Sequence, residues 1–441
     1  MESTLSIPDL NANPSSQRIF IVGGGIVGAA LAFYLSQAKT NRPIILLDRS
    51  LKKSLGSTGH APGFVGQLNE SPVLTRLAQY TVAEYLAVPG GFNTVGGLEL
   101  ASTPAGVQTL QSRCEKARAA GLSAEMISPE DAAALAPDFI DHETVMQGLH
   151  FPSDGTANAQ VITPYFMREA RARGVEFLEV AVTGFTKKDG YDGLAGEIAA
   201  LRTANGDINL TGSTVILATG IWTSPLTGSP GPDKEAPITK LPIPIIPVAH
   251  PYTFTGPRPP RTGKPYPFVR WPEHHVYARD HGDHDGLGSY DHVPLELRPG
   301  ESAVGSWPSN FDQVLVEATS HLKNGSAFLA QGRQDGLNPF EARQPFNGIF
   351  SVTPDNLPLA GRVSDVSNLW LCAAIWVTTA AGTAKLISRE ILRSSHDMAS
   401  ARDEELLKAL DPARFQGVHA EILTAQALER YNNIYNKETS V

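Results

Sequence analysis

The sequence predicts an α/β fold with a Rossmann-like domain, because three features of that architecture follow one another near the N-terminus. The first is residues 19–22, a short apolar run rich in β-branched residues that is typical of a buried strand. The second is a G-x-G-x-x-G turn, whose glycine positions are Gly23, Gly25 and Gly28. The third is a helix over 29–37, which is followed by another apolar strand over 43–47. Features in this order predict a dinucleotide-binding unit.

Each glycine of the turn has its own physical role. Gly23 allows the tight turn, Gly25 lets the backbone approach a pyrophosphate, and Gly28 lets the helix pack closely on the strand. The N-terminus of the helix offers N–H groups and the positive end of a dipole to the phosphates. Asp48 ends the second strand and can accept hydrogen bonds from a ribose. The alternative is a glycine-rich strand-to-helix turn that holds no ligand.

The bulk composition narrows the class of protein. A chain of 441 residues can bury a large core and is expected to form two domains. The formal net charge of −9, without a basic cluster, argues against a nucleic-acid partner. Two cysteines, Cys114 and Cys372, are too few for a disulfide framework or a cysteine-based zinc site.

No apolar run reaches the length of about 18 residues that a membrane span requires. Residues 1–17 are expected to form a flexible tail, because they are polar and lack the apolar region of a signal peptide. The chain ends in Thr-Ser-Val, which is not a peroxisomal tripeptide. We therefore expect a cytoplasmic protein.

Hydrophobic periodicity predicts further elements along the chain. Helices are expected at 73–87, 104–120, 129–135, 159–173, 311–322 and 380–392. Strands are expected at 91–101, 175–182, 198–202, 208–210, 213–220 and 368–376. Residues 54–67 contain too much glycine for a regular element, and 223–237 resemble a crossing between domains.

The segment 56–65, which reads GSTGHAPGFV, resembles a loop of dimethylglycine oxidases, dimethylglycine dehydrogenases and sarcosine dehydrogenases. These are amine-oxidising flavoproteins of the D-amino acid oxidase superfamily. The resemblance implies a two-domain fold, in which a Rossmann-like FAD-binding domain is joined to a substrate domain with a mixed, largely antiparallel sheet. It also implies covalent FAD, because His60 matches the histidine that carries the flavin. The residues alone allow either an imidazole that attacks the 8α carbon or a loop histidine that only donates a hydrogen bond.

Two other segments resemble the FAD-binding parts of this family. Ala218-Thr-Gly220 ends an apolar strand and resembles a second nucleotide-contacting turn, although an ordinary strand end has the same composition. The turn from Trp376 departs from the family pattern W-V-T-H-S-A-G, because Thr379 and Ala380 replace the histidine and the serine. The helix that follows would point its N-terminus at the pyrimidine edge of the flavin and stabilise the negative charge of its reduced form.

The resemblance implies a set of cofactor contacts. Those expected are Gly23, Gly24, Gly25, Val27, Gly28, Asp48, Arg49, Ser57, Thr58, His60, Val182, Thr219, Gly220, Trp222, Trp376, Val377, Thr378 and Thr379. Among them, Val182 matches a position where the backbone meets the adenine.

Two segments resemble the substrate pocket of the family. Ala249-His250-Pro-Tyr matches an A-H-x-Y strand, and the segment from Tyr277 to Asp283 matches Y-x-R-[DE]-H-G-D. His250 is the candidate for orienting the substrate or accepting its ammonium proton, since imidazole titrates near neutrality. Tyr277 is the candidate for a hydrogen bond to the substrate. Either side chain could instead only line the pocket.

Histidines, which are common metal ligands, are frequent between residues 274 and 292. His281 and His284 stand three residues apart beside Asp280 and Asp283, a set that could supply ligands. The segment is expected to be strand and turn, and its match to the family explains it without a metal. We therefore predict no metal site.

The resemblance divides the chain into domains. The expected parts are a tail (1–17), an FAD-binding domain (18–90, 148–225 and 345–395), a substrate domain (91–147 and 226–344) and a C-terminal segment of surface helices (396–441). Longer family members continue into a folate-binding domain, which is not expected here.

The expected reaction is FAD-dependent oxidation of the C–N bond of a secondary or tertiary amine. Hydride transfer to flavin N5 would give an iminium ion that water can hydrolyse. Oxygen or an electron-transfer flavoprotein would then accept the electrons. Two alternatives stay open, namely an oxidase of D-amino acids or other primary amines, and a flavin-binding protein without turnover.

Overall fold

The computed structural model describes residues 7–12, 17–38, 40–188, 190, 195–228, 237–297, 306–328, 342–393, 400–432 and 434. The helices of these residues are α1 (Ile7–Ala12), α2 (Ile26–Gln37), α3 (Pro72–Tyr85), α4 (Pro104–Ala119), α5 (Pro129–Leu135), α6 (Ala159–Ala172), α7 (Thr223–Thr227), α8 (Phe311–Thr319), α9 (Ala380–Leu392), α10 (Ala401–Leu410) and α11 (Ala420–Asn432).

The strands of the N-terminal half are β1 (Ile19–Val22), β2 (Ile44–Asp48), β3 (Phe64–Val65), β4 (Phe92–Asn93), β5 (Gly97–Ala101), β6 (Glu125–Ile127), β7 (Gln147–Phe151), β8 (Gly155–Ala157), β9 (Glu176–Glu179), β10 (Val182–Lys188), β11 (Glu197–Thr203) and β12 (Ile208–Asn209). Those that follow are β13 (Thr214–Leu217), β14 (Ile246–Phe254), β15 (Phe268–Trp271), β16 (Val276–Asp280), β17 (Asp285–Ser289), β18 (Phe346–Val352), β19 (Leu359–Arg362) and β20 (Leu369–Ala373).

A six-stranded sheet in the order β19-β20-β13-β1-β2-β9 forms the first layer, and all its pairs except β19–β20 are parallel. Both faces of β1 are covered, which explains its continuous apolar run. Ile19 and Ile21 point to the face on which α2, α6 and α9 pack, whereas Phe20 and Val22 point to the other face. The predicted unit of strand, turn, helix and strand is confirmed.

An eight-stranded sheet in the order β18-β14-β17-β16-β15-β5-β7-β6 forms the second layer. Its pairs are antiparallel except β15–β5. All nine residues of β14 are buried, so this strand lies in the interior of the molecule. The two sheets confirm the predicted architecture of a Rossmann-like sheet with a second, mixed sheet. The division of the chain into domains at the predicted residues stays a prediction.

Several predicted elements have different bounds. The run 175–182 is not one strand, because β9 ends at Glu179 and β10 begins a separate sheet at Val182. The loop 54–67 contains a 3-10 turn, Ser57–His60, and the short strand β3. The predicted crossing from residue 223 begins with the helix α7. Part of that crossing, 229–236, lies outside the described residues.

The expectation of a flexible tail is wrong for residues 7–12, which form α1. Ile7 and Leu10 lie one helical turn apart and are buried on the face of the six-stranded sheet that carries Phe20. The Arg18 guanidinium donates a hydrogen bond of 2.6 Å to the carbonyl of Leu10, which also holds the helix in place. The apolar spacing of two residues in a short polar segment was too weak a signal to predict this contact. Residues 1–6 and 13–16 lie outside the described part of the chain.

Within the described ranges, no helix is long and apolar enough to cross a membrane.

Candidate functional site

A cavity of about 470 Å³ extends from the glycine turn after β1 to the inner strands of the eight-stranded sheet. It is lined by all of the predicted site residues except Gly28 and Thr379. The carboxyl ends of the parallel strands β1, β2 and β13 open into one end of it, which is where parallel α/β sheets bind ligands. Tertiary structure therefore joins the predicted nucleotide turn and the predicted substrate residues in a single space.

The glycines of the turn are required for different reasons. Gly23 has a φ of +110°, and a Cβ there would lie 2.4 Å from the carbonyl oxygen of Ala218. A Cβ on Gly28 would lie 1.8 Å from the carbonyl oxygen of Gly23, so this position packs α2 against β1 and does not face the cavity. A Cβ on Gly25 would approach only the Thr58 hydroxyl, at 3.0 Å, and would protrude where a ligand can lie.

The loop after β2 closes over the N-terminus of α2. Gly25 is the residue before the helix and has no side chain to cap it, and the Thr58 hydroxyl accepts a hydrogen bond of 3.1 Å from the Ile26 N–H instead. The Ser57 hydroxyl donates to the carbonyl of Ile349 in β18, at 3.1 Å. These two hydroxyls tie the loop to α2 and to β18 and position it beside the helix terminus, where anions are stabilised.

Asp48 lines the cavity at the end of β2, as predicted. Its carboxylate accepts hydrogen bonds from the N–H groups of Gly24, at 2.6 Å, and Ser50, at 2.8 Å. The guanidinium of Arg49 lies 4.5 Å from the centre of the Trp222 ring, a cation–π contact that joins the ends of β2 and β13. An acid, a cation and an aromatic ring thus stand together at the glycine end of the cavity.

His60 lies at the end of the 3-10 turn and faces the cavity. Its Nδ1 lies 3.0 Å from the carbonyl oxygen of Gly56, which can only accept, so Nδ1 carries the hydrogen. Burial lowers the pKa of His60, and the hydrogen bond to Gly56 acts in the opposite direction. The neutral ring therefore has its lone pair on Nε2, the nitrogen that can act as a nucleophile.

Aromatic side chains form the other end of the cavity. Those that line it are Phe64, Tyr252, Tyr277, Tyr290, Phe346, Phe350 and Trp376. They surround His250, whose ring centre lies 4.5 Å from that of Tyr290 and 4.9 Å from that of Phe350. Aromatic faces attract cations, and they attract ammonium groups with methyl substituents in the same way.

Tyr277 reaches His250 across an intervening strand. The two residues lie on β16 and β14, with β17 between them, and Tyr277 stands opposite Gly288 of β17. A Cβ on Gly288 would lie 2.4 Å from the Tyr277 ring, so this glycine provides the space that the ring occupies. The Tyr277 hydroxyl then lies 2.8 Å from Nε2 of His250. The importance of Gly288 becomes visible only from the strand register.

His250 is buried and uses both ring nitrogens. Nδ1 lies 2.7 Å from the hydroxyl of Tyr431, and Nε2 contacts Tyr277. Burial holds the pKa of His250 well below its usual value, and the nearby His292 lowers it further. The imidazole is therefore neutral, and it cannot accept a proton at one nitrogen without a change at the other.

Sequence reasoning missed Tyr431, which belongs to α11 in the segment expected to form surface helices. Its hydroxyl contacts Nε2 of His292 at 2.8 Å and the carbonyl of Ala249 at 3.1 Å, as well as His250. Burial raises the pKa of Tyr431 well above its usual value. Leu423, Ala427 and Tyr431 recur every fourth residue and are all buried, a helical pattern that the sequence does contain.

Thr379 is the other predicted contact that does not line the cavity. Residues Val377–Thr379 form a 3-10 turn before α9, and the last cavity-lining residue of this turn is Thr378. Thr379 is buried, and its carbonyl accepts a hydrogen bond of 2.8 Å from the Thr383 hydroxyl within α9. The tight turn directs Thr379 into the helix packing, which its position in a linear motif does not reveal.

The histidines that suggested a metal site have other partners. Nε2 of His281 lies 2.8 Å from the Tyr252 hydroxyl, and Nδ1 of His284 lies 2.6 Å from the carboxylate of Asp283. Among the residues with described positions, no group of three or more histidine, cysteine or acidic side chains could hold a metal ion.

A family model with the description FAD dependent oxidoreductase (DAO) matches residues 18–390. The chain is 26% identical over 434 residues to the mitochondrial dimethylglycine dehydrogenase of Rattus norvegicus, a match that covers 95% of this chain and 48% of the relative. It is 24% identical to the 4-methylaminobutanoate oxidase (formaldehyde-forming) of Paenarthrobacter nicotinovorans, over 92% of this chain and 46% of the relative. The chain thus spans about half the length of these curated relatives.

Solved structures share the fold. The L-proline dehydrogenase of P. horikoshii superposes with a TM-score of 0.70 at 21% identity, over 91% of this chain and 98% of the other. The iminodiacetate oxidase of Chelativorans sp. BNC1 superposes with a TM-score of 0.65 at 17% identity, over 87% and 98%. At these identities the likeness establishes the architecture.

Proposed function

Because the chain belongs to the family of FAD-dependent oxidoreductases, we propose that it oxidises the C–N bond of a secondary or tertiary amine. The observation that carries this proposal is one cavity with the glycine turn at one end and the His250–Tyr277 pair at the other. Such a cavity can hold a dinucleotide and an amine together. The two relatives named above act, by their names, on dimethylglycine and on a methylamino compound, which supports an N-methylated amine.

The residues at the glycine end fit FAD. We propose that the turn and the N-terminus of α2 hold the pyrophosphate, because Gly25 places no side chain between the helix end and the cavity. Asp48 would bind the ribose, and Arg49 with Trp222 would flank the adenine half together with Val182. The contacts proposed at the other end of FAD are with Trp376, Val377 and Thr378.

When bound, FAD would supply the oxidant, because its ring can accept a hydride from the carbon next to nitrogen. The chain supplies position and proton transfer. The aromatic end of the cavity attracts the substrate ammonium, and its apolar walls accommodate methyl groups on nitrogen. Tyr277, hydrogen-bonded to neutral His250, is the group that receives the ammonium proton and frees the nitrogen lone pair.

The test mixes the purified holoprotein, without oxygen, with dimethylglycine, sarcosine and N-methylbenzylamine. Benzylamine, as the matched primary amine, and D-amino acids are tested in the same way. We expect an N-methylated amine to bleach the absorption band of oxidised flavin, with release of formaldehyde. Bleaching by benzylamine or D-amino acids alone would identify a primary-amine oxidase instead. A flavin that none of these amines reduces would indicate a binding protein without turnover. Reoxidation by oxygen, compared with a dye that replaces an electron-transfer flavoprotein, identifies the acceptor.

We further propose that His60 holds FAD covalently through Nε2. Its Nδ1–H is engaged by the Gly56 carbonyl and burial keeps the ring neutral, so the lone pair on Nε2 is directed away from that contact. Flavin colour should stay with the protein after acid precipitation, and His60→Ala should release it. Thr58→Ala, in the same loop, is the control and should keep the colour in the pellet. A wild-type protein that loses all flavin to the acid supernatant would contradict covalent attachment and leave FAD binding intact.

A further inference from the structure

The buried contacts around His250 extend beyond the cavity. We propose that four side chains form a relay that carries the substrate's ammonium proton from the cavity towards the protein surface, an inference that rests on the proposed amine oxidation. The relay consists of Tyr277, His250, Tyr431 and His292.

The four side chains form an unbroken row of hydrogen bonds. The distances are 2.8 Å from Tyr277 to His250, 2.7 Å from His250 to Tyr431 and 2.8 Å from Tyr431 to His292. At the far end, Nδ1 of His292 lies 2.9 Å from the carbonyl oxygen of Val293. All of these distances lie within the range of ordinary hydrogen bonds.

The carbonyl of Val293 sets the direction of the row, because a carbonyl oxygen can only accept. Nδ1 of His292 therefore carries a hydrogen, and Nε2 of the neutral ring accepts from the Tyr431 hydroxyl, which shares its single hydrogen with the carbonyl of Ala249 at 3.1 Å. The Tyr431 oxygen then accepts from Nδ1–H of His250. Nε2 of His250 is left to accept from the Tyr277 hydroxyl, which lines the cavity. Every donor in the row points away from the substrate.

This arrangement transfers a proton without moving any heavy atom far. The ammonium N–H bond breaks and its proton binds the Tyr277 oxygen, while the original Tyr277 hydrogen passes to Nε2 of His250. The hydrogen on Nδ1 passes to Tyr431, and the Tyr431 hydrogen passes to Nε2 of His292. One bond to hydrogen breaks and one forms at each step, and no electrons are transferred. The substrate becomes a neutral amine and His292 an imidazolium.

His292 stands at the outer end of the row, although only 8% of its own surface is exposed. It lies between Asp291 and Val293, both of which are exposed. Burial lowers the pKa of His292, while the Val293 carbonyl and the Asp291 carboxylate act in the opposite direction and favour the imidazolium. His250 on β14 and Tyr431 on α11 are the titratable rings beside it, and Phe311 of α8 packs on it without charge.

The C-terminal helix α11 completes the relay. Asn432 donates hydrogen bonds of 2.7 Å to the carbonyls of Tyr290 and His292, which fix the helix against this segment. Phenylalanine has the same ring as Tyr431 and lacks only the hydroxyl, which is the group that the relay requires. The position of α11 therefore serves the cavity as well as the packing of the sheet.

The decisive variant is Tyr431→Phe, studied in the holoprotein by anaerobic reduction with the most reactive amine of the panel above. We expect the rate constant for flavin reduction to fall by roughly 100-fold near neutral pH, because an internal base contributes about that much. The rate should return to the wild-type value at alkaline pH, where the amine is already neutral. His292→Gln, which cannot accept a proton, should change the pH profile in the same way.

The matched control is Asn432→Ala, the neighbouring residue on the same helix. It removes the hydrogen bonds to the carbonyls of Tyr290 and His292 but no side chain of the relay. Any loss of rate in this variant should be the same at all pH values. A loss of the same kind in Tyr431→Phe, independent of pH, would overturn the relay and assign Tyr431 a structural role.

A second measurement does not depend on turnover. In the holoprotein with isotope-labelled histidine, NMR should find His250 and His292 neutral and protonated on Nδ1, with assignments made from His250→Gln and His292→Gln. Protonation of His250 on Nε2 instead would overturn the direction of the relay. If no amine reduces the wild-type flavin, the proposed function itself fails and the relay fails with it. Reduction with unchanged pH profiles in both relay variants overturns the relay alone.

Discussion

At the scale of single residues, two glycines of one turn have different tasks. Gly28 separates α2 from β1 by a distance at which a Cβ would lie 1.8 Å from the Gly23 carbonyl oxygen. That contact is with backbone, so no side-chain rotation can relieve it. Gly25 would bring its Cβ to 3.0 Å from the end of the Thr58 side chain, which can turn away. Gly28 is therefore needed for folding and Gly25 for the ligand.

We predict that Gly28→Ala costs more than about 4 kcal/mol of unfolding free energy and yields little folded protein, because strand and helix must separate. Gly25→Ala should fold with a thermal midpoint close to that of wild type but contain much less flavin. Far-UV circular dichroism and the ratio of flavin to protein absorbance measure both effects. Full flavin content in Gly25→Ala would contradict the proposed approach of the pyrophosphate to this backbone.

At the scale of elements, α11 packs on one side of the eight-stranded sheet, where the edge strand β18 pairs with β14. It contacts β14 and β18, and Ala427 lies in this interface without exposed surface. Two residues earlier, Ala425 is exposed. The same helix thus has one face that packs on the sheet and another that faces water, and only the packed face presents Tyr431 to His250.

We predict that Ala427→Glu destabilises the protein by about 3 kcal/mol, because it buries an unpaired charge between α11 and the sheet. Flavin reduction by an amine should slow in parallel, since Tyr431 is displaced. Ala425→Glu makes the same chemical change one half-turn away and should alter stability by no more than about 0.5 kcal/mol. Denaturant unfolding of both variants tests this, and equal effects would show that α11 does not pack as described.

At the scale of the whole molecule, buried titratable groups set the response of stability to pH. Burial lowers the pKa of six described histidines: His60, His150, His250, His281, His292 and His321. Below pH ~6.5 the unfolded chain binds protons at these positions and the folded chain does not, so acid favours unfolding. Burial acts oppositely on carboxyls, since it raises the pKa of Asp154 to about 7 and that of Asp285 to about 6.

We predict that the thermal midpoint of the holoprotein falls as the pH is lowered from ~6.5 towards ~5, because the histidines outnumber the raised carboxyls. Asp154→Asn tests the sign of the contribution that a buried carboxyl makes to stability. In wild type the ionised Asp154 costs stability above pH ~7, so the gain from the asparagine should be larger at pH ~8 than at pH ~5. Far-UV circular dichroism at these pH values measures both trends. A thermal midpoint that rises in mild acid would show that the buried histidines do not dominate the response to pH.

Much of the candidate site could be predicted because its chemistry follows local patterns. The turn from Gly23 to Gly28 and the acid at Asp48 lie within one unit of strand, helix and strand, and the structure has them as expected. The family inferred from the loop around His60 is confirmed by the match over residues 18–390. Thr379, expected among the cofactor contacts, does not line the cavity, because a linear motif does not specify which side of a 3-10 turn a residue faces.

By itself, the sequence determined the nucleotide turn, since the constraints on its glycines act between atoms close in the chain. Only the tertiary structure decided which side chains share hydrogen bonds with His250. Tyr277 reaches it over Gly288 of a neighbouring strand, and Tyr431 reaches it from 181 residues further along the chain. A hydrogen bond needs its two atoms within about 3 Å, and for residues this distant only the packing of sheets and helices sets that separation.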